Sequence, residues 1–179
     1  SMGGIINLVT KNFAYEFYNA KAAIGSFNSK DFNLNMSNIT DSISYTALLQ
    51  YKKGDGHRYN AQYEQNNFYT KIFNKKNDLS ITLIANKSIN GQPGFSVEER
   101  PSLKSYRISN RDSIYLQLFK KQSLANNGNI VYSVSMNHFY THYYDRGDTP
   151  FEEIQDDTFY DDDSLNLRAE YQKLLNNKS

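Results

Sequence analysis

Residues 129–140 read NIVYSVSMNHFY. Ile130, Tyr132, Val134 and Met136 alternate with Val131, Ser133, Ser135 and Asn137, so every second side chain of an extended chain is large and apolar. In a β-strand successive side chains point to opposite faces, and this stretch therefore predicts one apolar and one mostly hydroxyl- and amide-bearing face. Five further segments carry the same period: Asp31–Ile39, Ile43–Lys53, Leu79–Asn86, Ser113–Lys120 and Ser164–Gln172. Glu64–Lys75 is strand-like but less regular, and Phe13–Phe27 is ambiguous in phase. That predicts eight strands after an opening one, with no convincing helix, and the class is all-β.

The connections predict the topology. Short turns follow the second, fourth and sixth of the eight strands (38–42, 75–78 and 122–128), whereas long polar gaps fall at 54–63, 90–111 and 145–163. All three prolines, Pro93, Pro101 and Pro150, lie in the two longest gaps. An antiparallel up-and-down meander with tight turns at one end and long loops at the other typifies an outer-membrane barrel, although soluble up-and-down barrels share the pattern. The alternation itself fits both: a soluble barrel turns its apolar face inward, a membrane barrel turns it to lipid. Two details lean toward lipid. The polar faces are rich in Asn, Ser, Thr and Gln rather than Lys and Glu, and Tyr51, Phe139, Tyr140, Tyr143 and Tyr144 cluster near strand ends, as interfacial girdles require.

Composition narrows the function. The 179 residues are 39% hydrophobic and 15% aromatic, which excludes a disordered tail. No window has the ~18 uncharged apolar residues of a spanning helix, but a spanning strand needs only ~9–11 residues. Cysteine is absent, removing disulfides, thiolate metal sites and cysteine nucleophiles. Net charge is +1, and between Asp145 and Asp163 nine carboxylates stand against one base, Arg146. The basic excess elsewhere is too diffuse for nucleic acid. No serine–histidine–acid arrangement or phosphate loop is visible, so no enzyme is expected, and no cofactor.

GGIINLVTK at 3–11 resembles the end of the plug domain in TonB-dependent outer-membrane receptors. GSFNSKDFNLNMS (25–37) resembles the family's first barrel hairpin, DGHRYNAQYEQNNFYTKI (55–72) its second outer loop and following strand, and NDLSITLIANKSINGQPGF (77–95) the strand leading to a Gly-Pro-Gly-type loop. The resemblance covers most of the first 120 residues and weakens beyond Asn126. It implies a 22-stranded barrel in the outer membrane of a Gram-negative bacterium, importing a metal chelate or similar scarce nutrient with energy from an inner-membrane partner.

On that reading residues 1–12 are an expression remnant (Ser1-Met2) and the plug's last strand, and 13–179 are about eight barrel strands. The coupling box, most of the plug and the remaining strands are missing, and the closing LLNNKS lacks a terminal aromatic. The piece is expected not to transport alone and to self-associate through open strand edges. The alternative is a soluble β-barrel holding a small hydrophobic ligand.

The one candidate cation site is in the acidic 145–163 segment, at Asp156, Asp157, Asp161, Asp162 and Asp163, since Ca²⁺ takes ~6–8 oxygens. It lacks the spacing of an EF-hand loop, and a solvated outer loop is the competing reading. His138 and His142 lie about 13 Å apart on a strand, too far to chelate one ion. His57 reads as a loop residue.

Overall fold

The computed structural model describes residues 16–57, 60–92, 107–124, 128–146 and 155–173. Eight strands run in chain order: β1 (Phe17–Gly25), β2 (Ser29–Ile39), β3 (Ile43–Gly54), β4 (Tyr63–Asn74), β5 (Leu79–Gln92), β6 (Arg107–Ser123), β7 (Gly128–Arg146) and β8 (Gln155–Lys173). Each pairs antiparallel with the next, giving one sheet of order β1-β2-β3-β4-β5-β6-β7-β8. The predicted all-β meander is therefore the fold, and β4 and β1 take up the irregular and ambiguous segments. β1 and β8 remain sheet edges among the described residues, so the sheet is not closed into a barrel. Among the described residues no helix is long and apolar enough to cross a membrane, which leaves crossing by strands untouched.

The turns follow from local chemistry. Ser26–Ser29 reverses the chain with Phe27 and Asn28 both in the left-handed region, closed by the Ser29 amide on the Ser26 carbonyl at 3.2 Å. Two positive φ values in succession match the twist of the flanking strands. At the opposite end the Ile43 amide donates to Thr40 Oγ1, and Asn74 Oδ1 accepts from the amides of Lys76 and Asn77.

The long gaps shrink at both ends. β5 runs to Gln92, β6 starts at Arg107, β7 runs to Arg146 and β8 starts at Gln155, so 90–111 contracts to 93–106, 145–163 to 147–154 and 54–63 to 55–62. The reason is that backbone pairing needs no hydrophobic alternation. β7 and β8 stay in unbroken register from Gly128↔Lys173 to Arg146↔Gln155, well past their last apolar pair. The GGIINLVTK segment lies outside the described residues.

Register gives the faces their chemistry. One row across the sheet is Met36, Ala47, Thr70, Leu83, Leu116, Met136 and Leu165. The adjacent row on the same face contains Leu34, Leu49, Phe68, Ala85 and Ile114. The opposite face carries Asn33, Gln50, Asn67 and Asn86 in one row, continued by Ser113 on β6. Here amides bond from strand to strand: Gln50 Nε2 donates to Asn33 Oδ1 at 2.7 Å, Asn67 Nδ2 to Gln50 Oε1 at 2.9 Å, and Asn86 Nδ2 to Ser113 Oγ at 3.2 Å.

Gln50 is thus donor and acceptor at once. Gln50→Leu leaves Asn33 and Asn67 each short of a partner on a half-buried face, and should cost ~1–2 kcal/mol. Chemical unfolding of the variant beside the parent chain checks this, and an unchanged midpoint would remove the ladder from the account of stability.

Candidate functional site

Burial in this sheet runs opposite to that of a water-soluble sheet. On β7 Tyr132, Val134 and Met136 are exposed by 43%, 38% and 56%, while the alternate residues Ser133, Ser135 and Asn137 are half-buried. Among the described residues the buried side chains are Ser37, Ser80 and Ser109 on the polar face and, on the apolar face, Ala47. Ile72, Ile81, Ile114, Leu118, Leu165 and Leu167 all stand exposed on the apolar face. No second layer covers them among the described residues.

The side chains of the apolar face form a band. On β3 it spans Ile43 to Tyr51, a length that matches the ~9–11 residues of a membrane-crossing strand. It does not run along the hydrogen-bonded rows. On β2 it is Phe32, Leu34 and Met36. In the same registers β8 carries Asp161, Asp163 and Leu165, and its own apolar run is Leu165, Leu167, Ala169 and Tyr171. The band slides toward the short turns by roughly one residue per strand, the stagger expected of strands tilted across a slab or round a barrel axis.

Beyond the band, toward the long loops, the same face becomes charged. Lys53 Nζ bonds Glu64 Oε2 at 3.0 Å, and Lys87 Nζ lies 3.7 Å from Asp112 Oδ2. On the β7–β8 extension His138 Nδ1 is 2.9 Å from Asp163 Oδ1 and 3.6 Å from Asp161 Oδ1, and His142 Nε2 is 2.6 Å from Asp157 Oδ1. The two imidazoles thus face different carboxylates of the neighbouring strand. His57 lies in the 55–62 connection, its ring edge-on to Phe27 at 6.3 Å between centroids.

The five candidate cation ligands do not sit in a loop. Asp156, Asp157, Asp161, Asp162 and Asp163 all belong to β8. Strand alternation sends Asp157, Asp161 and Asp163 to the apolar face and Asp162 to the other. Among the described residues no group of three or more His, Cys, Asp or Glu side chains is placed to hold a metal ion. The histidine–aspartate pairs were missed in sequence, although alternate acids at 157, 161 and 163 facing alternate histidines at 138 and 142 are a readable signal once the hairpin is extended.

No family model, curated protein or solved structure matches this chain.

The Asp163 carboxylate bonded to its ring holds the His138 imidazole above its ordinary value of 6.5, against the opposing effect of partial desolvation. A raised imidazole value means that the charged pair supports β7–β8 pairing fully below pH 6.5 and that this support fades as pH rises through the raised value. Amide hydrogen exchange of Asp161–Asp163 should therefore quicken with pH beyond the intrinsic trend. His138→Gln should abolish that excess; a variant as pH-sensitive as the parent would remove the pair as its cause.

Proposed function

We propose that the chain is a wall segment of an outer-membrane β-barrel receptor of the TonB-dependent kind. In the complete protein its polar face would look into the lumen and its apolar face would meet lipid. The observation that carries the reading is the inverted burial: large apolar side chains stand exposed or half-buried with nothing over them among the described residues, while the buried side chains of the other face are the serines Ser37, Ser80 and Ser109. Apolar surface on this scale is unfavourable in water, and monomeric soluble proteins rarely expose contiguous patches beyond a few hundred Å². Acyl chains remove that cost. A band about 25 Å tall with polar side chains on the opposite face is the arrangement of barrel walls.

The TonB-dependent assignment rests on the resemblance of 3–11, 25–37, 55–72 and 77–95. The hairpin of β1 and β2, and the loop-then-strand order at β4 and β5, are compatible with it. Nutrient uptake, with a metal chelate or similar small molecule as cargo, belongs to the complete receptor, and this segment would not transport alone. Its open edges at β1 and β8 would be met by neighbouring strands there, and by a second copy in the isolated chain, because unpaired backbone groups in lipid cost several kcal/mol each.

The absence of cysteine makes the test clean. Single cysteines at Leu83, Leu116 and Val134, and at Thr82, Gln117 and Ser135, are labelled with an environment-sensitive fluorophore in vesicles containing brominated lipid. The first set should be quenched and blue-shifted, and the second quenched far less. Equal quenching in the two sets would overturn the reading. A first set that is dry and unreactive in detergent-free buffer would instead indicate a soluble barrel with an apolar interior and a hydrophobic ligand.

A further inference from the structure

At the end of the band nearest the long loops, the apolar face opens into a groove of about 500 Å³. Phe32, Tyr51, Phe68 and Ile114 line it, and Ala85 stands between Phe68 and Ile114 in register. A methyl group flanked by two large side chains leaves a trough, and this trough runs toward Lys87, the next residue of β5 on the same face. The Lys87 side chain is 62% exposed. Its separation of 3.7 Å from Asp112 is an ion pair without a hydrogen bond, so the ammonium protons stay available to another acceptor.

Charge on this face is divided. Lys30 lies directly opposite Lys53, with Lys87 two strands away, against Glu64 and Asp112. Glu64 already offsets Lys53 at 3.0 Å, so the three lysines against two carboxylates leave an excess of one positive charge on this side. On β7 and β8 the region beyond the band is instead acidic, with Asp157, Asp161 and Asp163 around the two histidines. An anion is therefore drawn to the β2–β5 side. The apolar groove ends where the charge begins, as a lipid changes from acyl chain to headgroup.

We infer that this groove seats one acyl chain of an anionic lipid, with the Lys87 ammonium on the lipid phosphate. The inference rests on the membrane reading above and gives the wall a preferred lipid. Ala85 supplies the room for the chain, Phe32, Tyr51 and Phe68 supply contact, and Lys30 favours the negative headgroup at longer range.

The 179-residue chain is purified in detergent with equal amounts of phosphatidylglycerol and phosphatidylcholine, and retained lipid is read by native mass spectrometry. The parent chain should retain phosphatidylglycerol about fivefold over phosphatidylcholine, the scale of one basic side chain at an anionic surface. Lys87→Gln, a surface change that leaves the fold intact, should bring the ratio close to parity, and Ala85→Trp should remove both adducts by filling the trough. Inorganic phosphate should not compete. Parental retention in Ala85→Trp, or an unchanged ratio in Lys87→Gln, would overturn the inference, as would displacement by phosphate. If a probe at Leu116 is quenched by lipid while no adduct is retained, the groove falls and the membrane reading stands; if neither occurs, both fall.

Discussion

A single sheet has two faces and must find a solvent for each. In a two-layered domain the apolar faces cover one another. Here one face carries Leu83, Leu116, Val134 and their neighbours in continuous rows with nothing across from them among the described residues, and the other carries the serines and amides. Everything else in the structure follows from that division. The amide ladder through Gln50 joins strands on the face opposite the apolar band, beside a row of Leu48, Tyr69, Ile84 and Tyr115, and the charged pairs of the apolar face begin where its apolar run stops.

The band's slide across the register ties packing to geometry. Strands that hydrogen-bond in straight rows, yet carry an apolar zone oblique to those rows, must be tilted relative to whatever boundary the zone obeys. The same tilt explains why Phe32 and Asp161 share one line of registered residues while meeting different surroundings. It also explains why the β7–β8 hairpin reaches furthest beyond the zone: its apolar run lies nearest the short turns, and its 19-residue strands extend away from there.

The parts that were legible in the sequence were those governed by hydrophobic period. NIVYSVSMNHFY and ISYTALLQYKK announce their strands because one face is apolar, and the short turns announce the antiparallel order. The period vanishes where both faces turn polar, which is why 155–163 reads as loop although its backbone pairs without interruption. The partners of His138 and His142 were hidden for the same reason: their carboxylates come from the stretch whose extended form has no hydrophobic signature. Alternation also names two faces without saying which one is the more exposed, and that required the exposure of Ser135 and Met136 side by side. The groove beside Ala85 was illegible because it depends on which residues of β4, β5 and β6 stand in one row.

The strict neighbour-to-neighbour order of the strands has a mechanical consequence. Among the described residues every ladder joins segments adjacent in the chain, so the sheet behaves as a linear array of hairpins, with no long-range clasp between β1 and β8. In such arrays stability is close to a sum of nearest-neighbour terms. Traction on one terminus would open the hydrogen bonds of the outermost strand before those of the next are loaded, so the sheet would peel in steps. Refolding would run the same steps backward, one hairpin at a time, with each seated pair serving as the edge on which the next is built.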